Sequence, residues 1–381
     1  MERVLVAGAG PVGLTAALTL ARRGVPVTVL EAEDGLAAES RASTFHPPSL
    51  EMLDELGVLD ALLERGLVSR TFQYRERRGG VIAELDLSVL SGDTPYPFRV
   101  QCEQSKLTPI LREHLLAAGG EVRFGAAVRA VLPHAGGVEA ATSAGDRFRG
   151  GWLIGADGAG SAVRHSLGVA FEGMTYPERF LVASTRTDVG ALLPGIAAVN
   201  YVFDPAEWLV LLRTPDHWRV LFPTADGTPD ESELARLPER LRGVADTAWD
   251  VAHASLYRVH QRVAATFRTG RVLLAGDAAH VNNPLGGMGM NSGIHDAVRL
   301  AGALADVLDG GPEAALDAAA AARRETARSF VQRATHANWE RMRSADPGGY
   351  HDELRRLAAD PVEARRYLLR TSMIASLRDV A

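Results

Sequence analysis

RVLLAGDAAHVNNPLGGMGMNSGIHDAVRLAGAL, residues 271–304, is the stretch around which the rest of the chain is organised. Residues 271–275 are a short apolar run bounded by Gly270 and Gly276, which predicts a strand buried on both faces. Asp277 follows at its C-terminal end, where α/β sheets collect their ligands, and its carboxylate can accept hydrogen bonds from a polyol. Pro284, Gly286, Gly287 and Gly289 then break regular structure and let main chain approach a flat ligand closely. After Asn291 the residues Ile294, Val298, Leu300, Ala301, Leu304 and Leu308 recur at helical spacing, so the loop feeds a helix N-terminus. Such an end carries roughly half a positive charge and favours a ligand that becomes anionic.

The chain opens with MERVLVAGAGPVGLTAALTLARRG, whose apolar run could be mistaken for a secretory signal. Gly8, Gly10, Pro11 and Gly13 interrupt it, and nothing approaches the ~18–20 apolar residues of a membrane span. Residues 4–7 read as a strand, Gly8, Ala9, Gly10, Pro11, Val12 and Gly13 as a G-x-G-x-x-G turn, and residues 14–23 as the helix it opens. A second strand, 27–30, ends in Glu31, close to the offset at which an acid meets ribose hydroxyls. This predicts a dinucleotide site without separating FAD from NAD. WLIGADGAGS, residues 152–161, is another strand ending in an acid among glycines; Asp157 is a pyrophosphate or water organiser, or a turn aspartate.

Between these motifs the pattern alternates. Arg41 lies just past the first unit and either reaches the cofactor or sits on a surface loop. His46, beside two prolines, reads as a helix-entry residue ahead of a helix at 49–56. Residues 71–87 form a hairpin, and 100–103 lead into Gln104, a cofactor contact or a helix cap, before a helix at 107–118. Short strands over 121–148 add a small antiparallel layer. Strands at 179–189, 197–203, 208–213, 218–222 and 252–262 form a separate inserted sheet with a helix at 231–242. Its aromatics Tyr201, Phe203, Trp208, Trp218 and Phe222 fill a core or wall a flat apolar substrate. From Pro312 the chain is helical to its end, one alanine-rich helix reaching about Arg343.

Composition narrows the class. With 381 residues, 46% hydrophobic and 23% charged, the chain has room for two or three domains and a large core. A net charge of -6 argues against nucleic-acid binding, which needs basic faces. Cys102 is the single cysteine, so no internal disulfide or cysteine-ligated metal cluster forms, which fits the cytoplasm.

Taken together, GAGPVGL, GADGAGSAVR and AGDAAHVNNPLGGMGMNSGIHDA resemble the three signatures of the class A FAD-dependent aromatic monooxygenases, the para-hydroxybenzoate hydroxylase family. The resemblance implies an α/β fold: a Rossmann-like FAD-binding domain (1–70, 98–173, 268–345), an inserted, mostly antiparallel substrate sheet (71–97, 174–267) and C-terminal helices (346–381). It implies that Glu31 meets the adenosine ribose, Arg41 and Gln104 contact FAD, Asp157 serves pyrophosphate binding and pyridine-nucleotide reduction, and Asp277 holds the ribityl chain. Pro284 would line the ring, and the amides around Met290 and Asn291 would meet its pyrimidine edge. Family chemistry uses NADH or NADPH as transient donor and molecular oxygen as co-substrate, forming a hydroperoxide at flavin carbon 4a that hydroxylates an aromatic ring. Tyr201, His217 and His280 are candidates for deprotonating a phenolic substrate. Epoxidation, oxidative cleavage, a non-oxygenating FAD dehydrogenase and a flavin-bound scaffold stay open. Halogenation is disfavoured, because Lys106, the one lysine, falls at a helix start in the FAD domain and no W-x-W-x-I-P run exists. The expected assembly is a monomer or homodimer.

Overall fold

The computed structural model describes residues 2–38, 42–134, 136–344 and 348–378. Four parallel strands form the heart of a six-stranded sheet, in the order Val272–Leu274, Trp152–Gly155, Val4–Ala7, Val27–Leu30. All their residues are buried, as expected for continuous apolar runs covered on both faces. Glu121–Arg123 extends the sheet in parallel at one edge, and Arg268–Thr269 closes the other edge antiparallel. Helix Pro11–Arg22 packs against Gln104–Ala117 and Met288–Leu308. It begins three residues before the expected start, because Pro11 suits a first helical position, having no N–H to leave unpaired.

An eight-stranded sheet runs His280–Val281, Val251–Ala264, Phe171–Thr185, Trp218–Ala225, Leu209–Arg213, Val199–Phe203, Thr71–Glu76, Gly80–Asp86. Every pairing is antiparallel except that between Val199–Phe203 and Thr71–Glu76. Alternation sorts its side chains: Phe180, Val182, Tyr201, Phe203 and Val210 enter one core, Leu181, Ala183, Val202, Leu209 and Leu211 the other. The second core is closed by helix Asp230–Arg242 through Leu237 and Leu241. The first is closed by the terminal helices Gly348–Ala359 and Pro361–Thr371, through Leu354, Leu357 and Leu368.

Four features depart from the sequence expectations. The strand placed at 179–189 is Phe171–Thr185, with a register shift between Thr175 and Arg179. Val189 instead opens a short helix, Val189–Leu192, because Asp188 accepts hydrogen bonds from the amides of Gly190 and Ala191. The alanine-rich helix is broken by a wide turn at Thr326–Val331 between Glu313–Glu325 and Gln332–Met342. A three-stranded sheet of Thr44–Phe45, Arg99–Gln101 and Leu67–Ser69 had no periodic signal, its strands being only two or three residues long. The small antiparallel layer, expected over 121–148, is Val128–His134, Gly137–Thr142 and Arg147–Gly150; Glu121–Arg123 instead pairs in parallel with Val27–Leu30, because it returns to the large sheet after the helix Gln104–Ala117, as a parallel crossover requires. No helix among the described residues is long and apolar enough to cross a membrane.

Candidate active site

The three glycine-acid motifs meet at the C-terminal ends of three adjacent parallel strands. Ala156 N donates to Ala7 O and Ala275 N to Gly155 O, each at 2.9 Å. Val12 closes the group: a Cβ added at Gly276 would lie 2.8 Å from its Cγ2, and one at Gly293 2.5 Å. The opening turn and the late loop therefore touch. The glycines divide by purpose. A Cβ at Gly8, whose φ is +99°, would strike Ala156 O at 2.5 Å, and one at Gly13 would strike Gly8 O at 2.0 Å, whereas at Gly10 it would meet nothing within 4 Å. Gly8 and Gly13 serve packing of the chain on itself; Gly10 leaves room for a ligand. Helix Pro11–Arg22 has no side-chain cap at Gly10, so its first amides could bind an anion.

Glu31, at the end of its strand, accepts hydrogen bonds from Ala9 N at 2.6 Å and Glu33 N at 3.0 Å, which draws the two turns together. Asp157 accepts from Ser161 Oγ at 2.5 Å and from Val163 N at 3.1 Å, fixing the start of Ala162–Ser166. Arg164, which composition alone left unremarked, is buried and donates to Ala278 O and Ala159 O at 2.9 Å, tying the middle motif to the late one. Gln104 opens its helix, half-buried, with its backbone N–H donating to Ala42 O at 3.1 Å. Arg41 lies outside the described residues.

Asp277 is exposed between buried Gly276 and Ala278. Beneath it, fully buried Asp296 accepts from Gly276 N (3.1 Å), Arg323 Nε (2.7 Å) and His280 Nε2 (2.8 Å). Burial alone would raise the Asp296 pKa; the charges of Arg323 and His280 and their hydrogen bonds outweigh it and hold the carboxyl below its ordinary value. His280 is thus buried in a polar network under the loop, stacked on Phe267 with ring centres 5.9 Å apart. His217 sits half-buried in the turn between Leu209–Arg213 and Trp218–Ala225, where its carbonyl accepts from Thr214.

The late helix spans Met288–Leu308, three residues ahead of the position read from apolar spacing. Gly287, at φ +66°, is its N-cap, and no side chain caps the first turn, so the amides of Met288, Gly289 and Met290 are the ones an α-helix leaves without internal partners. The Asn291 side chain is engaged elsewhere: Oδ1 accepts from His46 N at 2.8 Å, and Nδ2 donates to Thr44 O (2.8 Å) and Gly287 O (2.7 Å). Gly289 would place a Cβ 3.4 Å from Asn282 Oδ1.

Pro284, Leu285, Gly286 and Gly287 form one side of a partly open cavity; Thr44, Arg99 and, from the eight-stranded sheet, Val199, Tyr201, Val210, Leu212 and Leu221 form the rest. Tyr201 is the one of the three deprotonation candidates that lines this cavity. Burial lifts its phenol above the ordinary pKa, against the Arg99 guanidinium, so it is a proton donor at neutral pH. Arg99 is the residue that sequence reasoning missed. A lone arginine between Phe98 and Val100 was the available signal.

These residues fit a long dinucleotide that ends in a flat ring: a glycine facing open space, two uncapped helix starts, acids at strand ends, and an apolar cavity where the late loop meets the sheet. The comparisons agree. Residues 1–334 match the FAD binding domain family FAD_binding_3. The chain is 37% identical over 359 residues to para-nitrophenol 4-monooxygenase of Pseudomonas sp. strain WBC-3, covering 91% of this chain and 89% of that protein. It is 39% identical over 345 residues to 6-hydroxy-3-succinoylpyridine 3-monooxygenase HspB of Pseudomonas putida, covering 87% and 86%. The crystal structure of p-nitrophenol 4-monooxygenase PnpA from Pseudomonas putida DLL-E4 superposes with a TM-score of 0.93 over 99% of both chains, at 34% identity. The chain belongs to the FAD-binding family of class A aromatic monooxygenases.

Proposed function

We propose that this enzyme hydroxylates a phenolic substrate of one ring or a few, with NADH or NADPH as a transient electron donor. The observation that carries the reading is the single cavity shared by residues 284–287 and the sheet residues Tyr201, Val210 and Leu221. Relatives named for para-nitrophenol and pentachlorophenol support the phenolic class. FAD, when bound, supplies the oxygen-activating chemistry, which is why the protein needs no nucleophilic triad of its own.

The chain's part is placement. Gly10 and the start of Pro11–Arg22 receive the pyrophosphate, Glu31 the adenosine ribose and Asp277 the ribityl hydroxyls. Asp157 holds the rim of this cradle. The amides of Met288, Gly289 and Met290 would meet the pyrimidine edge and favour negative charge there. Pro284 and Gly287 would line the ring, and the apolar wall would keep water from it. His280 acts through Asp296 on the loop and not on the substrate.

Purified protein should carry FAD, consume NADH or NADPH faster when a suitable phenol is added, and release a product heavier by one oxygen atom. A flat response across a broad phenol panel would overturn the assignment in favour of a dehydrogenase or scaffold.

A further inference from the structure

Arg99 opens the strand Arg99–Gln101 and faces the cavity with only 2% of its surface exposed. Its guanidinium carbon lies 4.3 Å from the centre of the Phe72 ring, which fixes the direction of the side chain. The Tyr201 phenol favours its charge, yet its Nε and Nη1, both buried, have no hydrogen-bond partner. The groups that favour its charge are the phenols of Tyr201, Tyr74 and Tyr367, with no carboxylate among them, and burial pulls its pKa below the ordinary arginine value.

Three other buried arginines are paired with carboxylates. Arg323 pairs with Asp296, Arg240 with Glu233 and Glu207, and Arg179 with Asp230 and Asp226. A buried guanidinium without a counter-charge costs stability, and a guanidinium left with unpartnered N–H donors at a cavity wall suits an anion that arrives from outside.

We propose that Arg99 anchors the substrate through a ring-borne phenolate oxygen, received by its guanidinium, and so selects ionised phenols over their neutral analogues. This rests on the reading that the cavity takes an aromatic substrate. An oxyanion held there keeps the ring electron-rich, the state in which it accepts an electrophilic oxygen most readily.

The test uses the FAD-loaded full chain and two probes of similar size, 4-nitrophenol and 4-nitroanisole, at mildly alkaline pH where the free phenol is mostly ionised. Equilibrium dialysis should show the native protein binding 4-nitrophenol about 10- to 100-fold more tightly, the range expected for hydrogen bonds to a buried charge. Arg99→Met should abolish that preference, leave FAD affinity unchanged, and melt at the same or a higher temperature, because it removes an uncompensated charge. Equal affinities in the native protein, or a preference kept by Arg99→Met, would overturn the proposal. So would loss of FAD affinity in step with loss of the phenol, since the charge would then serve the cofactor. Should Arg99→Met fail to fold, Arg99→Lys carries the test: it keeps the charge but not the planar guanidinium, and the preference should drop several-fold. An unchanged preference there overturns the proposal equally. A protein whose NAD(P)H oxidation responds to aromatics but which treats both probes alike refutes the Arg99 role alone. One that binds no FAD and neither probe refutes the enzymatic reading with it.

Discussion

The glycine-bearing end of the parallel sheet and the wall of the eight-stranded sheet are built by opposite means. At the first, contacts are made by main chain and by missing side chains: Gly13 against the Gly8 carbonyl, Val12 over Gly276 and Gly293, uncapped helix starts at Pro11 and Met288. At the second, shape comes from side chains of strands far apart in sequence, Tyr201, Val210 and Leu221, set against Arg99 from a different sheet. A main-chain site tolerates almost no added atoms and can be shared by many chemistries. A side-chain site can be rebuilt one residue at a time.

Variants at the two places should therefore fail differently. Gly13→Val inserts atoms where even a Cβ would lie 2.0 Å from a carbonyl oxygen, and should leave little folded protein, measured as soluble yield and bound FAD. Asp296→Ala strands Arg323 in the interior and should cost about 3–5 kcal/mol in denaturant unfolding. Asp277→Ala, at an exposed position, should leave the melting temperature of the apoprotein unchanged. It should weaken FAD binding by about 2 kcal/mol, the range for one charge-assisted hydrogen bond. An equal loss of fold stability would erase the contrast between cradle and scaffold. Val210→Ala, on the wall, should cost about 1 kcal/mol of stability, keep FAD affinity, and change substrate affinity alone.

Acid should loosen the join between the regions. Burial, then the charge of Arg323, holds His295 neutral down to about pH 3, and burial, then Arg99, lowers His46 as well. An unfolded histidine takes its proton near its ordinary pKa of ~6.5, so below that pH the unfolded chain binds protons that the native one refuses. Stability should be flat above about pH 6.5 and fall below it by up to ~1.4 kcal/mol per pH unit for each histidine, the His295 share continuing toward pH 3. His295→Asn should remove one share of the slope in urea titrations across that range; an unaltered slope would show that the residue protonates in the folded state.

The same contrast explains what was legible in the sequence. Glycines and acids at strand ends stand at fixed short spacings, so the four central parallel strands, Glu31, Asp157 and Asp277 could be located from sequence alone, while the edge strands Glu121–Arg123 and Arg268–Thr269, which carry no such mark, were not assigned to this sheet. The start of Met288–Leu308 was misplaced because Met288, Gly289 and Met290 lack apolar periodicity, while the cue that mattered, a left-handed Gly287, is conformational. Arg99 and Thr44 were passed over because the strands Thr44–Phe45 and Arg99–Gln101 are too short to show alternation. His217 and His280 illustrate how little residue type says about position. One occupies a turn, and the other holds a buried aspartate.

His280–Val281 is only two residues long, yet it lies between Asp277 and Pro284 and forms the last strand of the eight-stranded sheet, pairing with Val263 and Arg262. Two rungs of a ladder thus bolt the segment proposed to meet the cofactor to the sheet proposed to meet the substrate. On that reading the gap between ring and wall would be set like the jaw of a fixed spanner, by covalent sequence and register, so reactant alignment would not depend on how two bodies happen to dock.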